Sequence, residues 1–439
     1  MIWNRLVLFY CVLGLFSCDQ MQTIRQVIQP KSPHERYAQA LEKSGMDRTR
    51  AGTDWLIASQ RALGDSTRLE LPAVVEGYFR PDRVEAFGYQ LDLQRGERLV
   101  VNYETEPTDL LLFLDVFQHS SSASPHWVIS ADTAFRQIDL EIVATGTYTL
   151  RVQPELLAAG RFSLHLRSQP SISMPVEGAK NNDIGSFFGD PRDGGRRKHK
   201  GIDIFAKKGT PTVAAVSGVV SSVRNGGLGG KTVWLRDVKH GRTLYYAHLD
   251  SQLVRKGQLV RAGDPVGTVG NTGNARTTPP HLHFSIYTAD GAIDPLPFVK
   301  TQSTEGKSLA YGAEQLMTPR RLNVKRENLR TAPSAKSKIW RTITRNVYLD
   351  VLGGSGGWLH VRLTDGTTGF VYQPSTVSLD VPLTASPLEE GTLIRLRPDA
   401  TSAPIATVAG RSSVDVLALA TNGARWVQLP SGHRGWWLD

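Results

Sequence analysis

The chain has 439 residues, enough for about three domains. Hydrophobic residues make up 40% and charged residues 21%, which excludes global disorder and allows several cores. Lys and Arg number 51 against 41 Asp and Glu; the formal net charge of +10 suits nucleic acid, a lipid surface or cell wall without choosing among them.

Both cysteines, Cys11 and Cys18, fall at the start of the chain, so no disulfide framework and no thiolate zinc site is expected downstream. Within residues 1–18, Arg5 precedes an apolar stretch from Leu6 to Phe16. That run is too short for a membrane span and has the layout of a secretory signal. Leu15-Phe16-Ser17-Cys18 resembles a bacterial lipobox, which implies cleavage before Cys18 and a membrane tether through its lipidated thiol. No later stretch is long and apolar enough to cross a bilayer.

Residues 19–72 read as a tether followed by a helical hairpin. Ser32-Pro33-His34-Glu35 has the pattern of a capping box with proline in the first turn. Tyr37, Leu41, Trp55, Leu56, Ala62 and Leu63 then recur at helical spacings, broken near Gly45 and Gly52. From 73 to 169 the period falls to two, in runs such as Leu111-Leu-Phe-Leu-Asp-Val116 and Gly146-Thr-Tyr-Thr-Leu-Arg-Val152, which predicts a β-sandwich. The Gly-x-Tyr-x-Leu-x-Val run followed by Gly160-Arg-Phe-Ser-Leu-His-Leu166 resembles the pre-peptidase β-sandwich modules of secreted bacterial hydrolases.

Residues 171–300 hold the chemistry. Five of the eleven histidines (His199, His240, His248, His281 and His283) fall here, and imidazole suits Zn²⁺ without any thiol. His281-Leu282-His283 lies in an alternating run, so both imidazoles project from one face of a strand. His199-Lys-Gly-Ile-Asp203 adds an imidazole and a carboxylate at the entry to another strand. Two His and one Asp with an open fourth position is a composition expected of catalytic zinc. His240, in Lys239-His240-Gly241, is expected in a hairpin turn and receives no role.

H-x-G-x-D at 199–203, Tyr246-Ala-His248-Leu249, and Gly273 followed by Pro280-His-Leu-His-Phe284 together resemble the lysostaphin/LytM-like zinc metalloendopeptidases of bacterial cell walls. Gly209-Thr-Pro211, Gly218-Val-Val220 and Gly270-Asn-Thr-Gly273 match in order between them. The resemblance implies one Zn²⁺ per chain held by His199, Asp203 and His283. It leaves His248 and His281 unligated beside the open position. One of the two would act as the base and the other would orient water or steady the oxyanion; H-E-x-x-H, with its glutamate base, is absent. Two departures stand out: Asn274–Pro279 is a longer connection than usual, and Ser285 replaces an acidic residue common after His-Leu-His-Phe.

Residues 301–320 read as a polar linker. Beyond them a motif occurs twice: Leu329-Arg330, Asp350-Val-Leu352, Trp358 and Gly369-Phe370, then Leu396-Arg397, Asp415-Val-Leu417, Trp426 and Gly435-Trp436. The spacing from Leu-Arg to Trp is 29 residues in one copy and 30 in the other. Order and aromatic placement resemble bacterial SH3-like modules, at 321–379 and 380–439, that bind cell-wall peptide; Trp358 and Trp426 are expected in strand cores.

The chain therefore reads as mainly β and multidomain: a short helical segment, a β-sandwich, a β-sheet peptidase domain and two small barrels. The implied partners are peptidoglycan peptide stems and crosslinks and, through Cys18, a membrane of the bacterial envelope. No helix-turn-helix or basic aromatic module supports a nucleic-acid partner. The alternative to an enzyme is a catalytically inactive wall-binding regulator of other murein hydrolases, although such relatives typically lack some of the five positions filled here. The anchor has a direct test. Cys18→Ser should move the protein from the membrane to the soluble fraction or block its processing; unchanged fractionation and a normally processed N-terminus would show that the thiol is incidental.

Overall fold

The computed structural model describes residues 31–65, 67–120, 124–303 and 305–438. The expected signal and lipobox, with both cysteines, lie outside them. Within these residues the architecture is multidomain and mostly β.

Ser32 opens the helix Pro33–Ser44 with a reciprocal cap: its Oγ accepts from Glu35 N and Glu35 Oε2 accepts from Ser32 N, each at 3.0 Å. A second helix, Arg50–Leu63, follows after the left-handed Gly45. The pair buries Leu41 and Trp55 against Phe113 of the strand Leu112–Gln118, and Trp55 Nε1 donates to Pro154 O at 2.9 Å. Two four-stranded antiparallel layers follow. One runs Ala73–Phe79, Gly160–Pro170, Glu97–Glu106, Gln137–Glu141 in spatial order; the other runs Phe87–Leu93, Gly146–Pro154, Leu112–Gln118, His126–Ser130. Their inward alternation makes the sandwich core.

The next unit is a twisted antiparallel sheet. Its central strands, in spatial order, are Gly218–Asn225, Lys231–Asp237, Arg242–Leu249, His281–Thr288 and Ile202–Phe205. It rests on the sandwich through one end: Arg242 Nη1 meets Glu141 Oε1 at 2.6 Å, the Phe298 ring closes on Gly96, and Gln302 donates to Glu97.

The two C-terminal copies share one pairing pattern. In the first, Arg326–Arg330 pairs with Ile339–Thr344 and Thr368–Tyr372, and Trp358–Arg362 pairs with Tyr348–Ser355 and Thr368–Tyr372. In the second, Leu393–Arg395 pairs with Pro404–Thr407 and Arg434–Trp437, and Arg425–Gln428 pairs with Ser412–Leu419 and Arg434–Trp437. Residues 309–316 run along the first copy, where Leu316 is buried beside Leu322 and Tyr311 Oη donates to Trp358 O. Trp358 and Trp426 are half-buried and pack inward; Trp340 is an exposed aromatic of the first copy.

Periodicity within the copies gives no hint of how the first joins the sandwich. Ala73–Phe79 pairs not only with Gly160–Pro170 but also with Tyr348–Ser355, at Glu76↔Gly354 and Gly77↔Gly353, so one sheet runs through both units. A Cβ on Gly77 would stand 2.4 Å from the Phe162 ring and 3.1 Å from Leu352 O, so only glycine lets the strands approach this closely. Leu352 and Phe370 enter the sandwich core, and Arg83–Asp350 and Arg362–Glu85 ion pairs flank the seam. Phe370, 1% exposed, is therefore carried by a strand of the first copy but buried in the sandwich core. Phe370→Ala should cost about 3–5 kcal/mol. It should lower the protection of sandwich amides such as Leu99 and Val101 in hydrogen exchange along with its own unit; full retention of sandwich protection would show that the seam is not cooperative.

Candidate metal centre

The metal face is built by strand register. Ile202–Phe205 lies antiparallel to His281–Thr288, with Asp203 opposite His283 and Phe205 opposite His281. On the other face of the same strands Ile202, Ile204, Leu282, Phe284 and Ile286 are fully buried. Gly201 is dictated by proximity: a Cβ there would lie 2.2 Å from Phe284 O and 3.0 Å from His283 Cε1. His199 is fastened by two backbone bonds, Gly189 N to His199 O at 2.9 Å and His199 N to Asp190 O at 2.8 Å.

His199 Nε2, Asp203 Oδ1 and His283 Nδ1 converge, 2.9 Å between the imidazole nitrogens and 3.1 and 2.9 Å from them to the carboxylate oxygen. Tetrahedral ligands about 2.0–2.1 Å from one zinc stand roughly 3.3 Å apart, so the trio fits such an ion with little adjustment. The outer atoms are already engaged. His199 Nδ1 donates to Phe187 O at 2.8 Å, which leaves the Nε2 lone pair inward. Ser285 Oγ lies 2.9 Å from His283 Nε2 and accepts its proton when Nδ1 carries the inward lone pair. Arg192 Nη2 holds Asp203 Oδ2 at 3.2 Å, turning Oδ1 to the centre. Burial pushes the Asp203 carboxyl up, but the hydrogen bonds of His199 and His283 outweigh it and hold it well below the usual carboxylate range.

His248 and His281 stand beside this trio, their ring centroids 5.1 Å apart and His248 5.8 Å from His283. Each spends Nδ1 on a carbonyl 2.9 Å away, His248 on Thr272 O and His281 on Pro279 O, so each has its Nε2 lone pair free. Burial first, then the charges of His283 and His281, lower the His248 pKa to about 4, so its imidazole is neutral at pH 7. Strict alternation would have sent His248 to the core, the side taken by Tyr246, whose partner is Phe284. Between Val233↔Tyr246 and Lys231↔Leu249, one residue of the neighbouring strand faces two of this one, and His248 takes a left-handed φ of 62°. That bulge turns its imidazole to the metal face.

All five sequence-derived residues thus meet on one face, while His240 sits in the turn at the opposite end of its strand, paired with Asp237 and Glu141. Sequence reasoning missed Arg192, which reaches Asp203 through the hairpin. It also missed Trp234, Tyr245 and Tyr287, half-buried rings that continue the metal face beyond Ser285. For Tyr287 the signal was present, since His281, His283, Ser285 and Tyr287 alternate along one strand.

Residues 197–295 match Peptidase family M23, and residues 324–377 match the bacterial SH3 domain. The chain carries an M23 peptidase domain. An uncharacterised metalloprotease of Haemophilus influenzae is 32% identical over 178 residues, 40% of this chain and 35% of that protein. The L-Ala–D-Glu endopeptidase of Bacillus subtilis is 36% identical over 127 residues, 26% and 39% of the respective chains. The peptidoglycan DD-endopeptidase ShyC of Vibrio cholerae is 40% identical over 96 residues, 21% of each. The chain therefore spans well under half the length of these relatives.

The donor set makes a metal prediction. Purified protein should bind zinc, and Asp203→Ala should lose most of it by metal analysis; full retention in both Asp203→Ala and His283→Ala would remove the ligand assignment.

Proposed function

We propose that this chain is a zinc-dependent endopeptidase that hydrolyses peptide crosslinks of peptidoglycan at the cell envelope, with one Zn²⁺ held by His199, Asp203 and His283. The observation that carries the reading is the orientation of the four imidazoles: three have their outer nitrogen tied to a carbonyl and the fourth to the Ser285 hydroxyl. The inward nitrogens of His199, His281 and His283 lie 3.1, 3.9 and 2.9 Å from Asp203 Oδ1, and the His248 ring stands against those of His281 and His283. The names of the M23 relatives support the substrate class. Zinc held by this donor set supplies Lewis-acid polarisation of the carbonyl and a water made acidic enough to attack at neutral pH.

The remaining chemistry belongs to the side chains. One of His248 and His281 accepts a proton at Nε2 during attack and returns it to the leaving amine, and His248 is neutral in the resting site. Protonation makes either ring a donor, able to stabilise charge on the carbonyl oxygen. The Thr272 and Pro279 carbonyls hold the rings against rotation, so no reorganisation is needed at the moment of reaction. Arg192 keeps the Asp203 carboxylate oriented. The half-buried rings of Trp234, Tyr245 and Tyr287 offer an apolar floor for the stem peptide.

The C-terminal copies serve wall attachment in this reading, and lipidated Cys18 the membrane tether. A second contact with the wall raises the local substrate concentration. Because the first copy shares its sheet with the sandwich, attachment would be rigid on that side.

His248→Ala and His281→Ala should keep zinc and fold, yet each lose on the order of 10²-fold or more in turnover of a crosslinked muropeptide. Loss of zinc from His281→Ala would exchange its role with that of His283. Absence of cleavage by zinc-loaded wild-type protein on varied crosslinks would favour the inactive regulator.

A further inference from the structure

The antiparallel hairpin Pro191–Arg192/Arg197–Lys198 leads directly into His199. Between residues 190 and 200 it places Arg192, Arg196, Arg197, Lys198 and Lys200 against only two carboxylates, Asp190 and Asp193. Both carboxylates are used locally. Asp190 accepts from Phe187 N and Ser186 Oγ, and Asp193 pairs with Arg197. Arg192 is committed to Asp203. Arg196, Lys198 and Lys200 are exposed and have no ion pair among the described residues. Lys198 and Lys200 flank His199 directly, exposed on either side of a buried ligand.

The wall on the other side of the five-residue cluster is the 270–280 loop, fixed to it through Thr272 O and Pro279 O. It carries one charge, the exposed Arg276, and no carboxylate. The floor between the walls is aromatic and half-buried. Thus every unengaged charge on the two walls is positive. Such a rim focuses anions toward the cleft, and a guanidinium matches a carboxylate in a bidentate fork.

We propose that this cationic rim reads free carboxylates beside the scissile amide, so that acidic stem peptides are the substrate class and neutral bridges or amidated stems are discriminated against. The proposal rests on the endopeptidase reading for the identity of the bond, but the rim's preference is a binding property and is measurable without cleavage. Each exposed ion pair is weak, and three or four together, partly screened by salt, set a preference of about tenfold rather than an absolute rule.

The test uses the full chain, zinc-loaded, and two uncrosslinked tetrapeptides, L-Ala–D-Glu–meso-diaminopimelate–D-Ala and the same peptide with its diaminopimelate carboxylate amidated. The wild type should bind the free acid about tenfold more tightly, with the difference shrinking as salt rises. The variant Arg196→Gln/Lys198→Gln/Lys200→Gln should bring the ratio close to one, with its zinc content read beside it as a check on the fold. Equal affinity of the wild type for both peptides, or an undiminished ratio in the variant, overturns the proposal. Crosslinked dimers of the same peptides are assayed in parallel. If no dimer is cut while the binding ratio persists, the endopeptidase reading falls and the carboxylate preference stands; if dimers are cut with no binding ratio, the reverse holds.

Discussion

The metal face depends on the antiparallel pairing of Ile202–Phe205 with His281–Thr288. Because side chains alternate, this one register sends Ile204, Leu282 and Phe284 into the core and Asp203, His281 and His283 to the opposite side. A slip of one residue would exchange the two sets, burying charge and exposing the apolar side chains. Hydrophobic burial therefore enforces the ligand geometry, and the site inherits its precision from the core beneath it. The shell above adds orientation, in hydrogen bonds from ring nitrogens to the Phe187, Thr272 and Pro279 carbonyls.

What the sequence revealed follows from the range of each interaction. The His-x-His strand was legible because alternation is local, and the Ser32–Glu35 cap because it spans three residues. The C-terminal duplication was legible because the chain states it twice. His248 could be found by its motif but not placed by period two, since a bulge overrides alternation where the ring is needed. Arg192 meets Asp203 only because the hairpin carries it there, a contact no local pattern announces. The seam between sandwich and SH3 domain was invisible, because pairing between distant strands leaves no periodic trace; its one local sign was Gly77 inside an otherwise regular strand.

The two ends of the M23 sheet divide the work. Arg242 and Phe298 dock one end on the sandwich, with Arg242 and Asp237 both buried in an ion pair that removal of either partner would leave uncompensated. The other end carries the bulge at His248, the basic hairpin and the 270–280 loop, and the contacts of Arg242 with Glu141 and of Phe298 with Gly96 involve none of these. Rigid support and access to a polymeric ligand are thus satisfied at opposite ends of the same strands.

The shared sheet also imposes an order of events on biogenesis. Ala73–Phe79 emerges early, whereas the strand that covers its second edge lies about 270 residues downstream. Until Tyr348–Ser355 arrives, a row of backbone donors and acceptors stays open, beside a core still missing Leu352 and Phe370. Such an edge invites pairing with the wrong chain. A chain truncated before the SH3 domain would keep that edge and that part of the core uncovered.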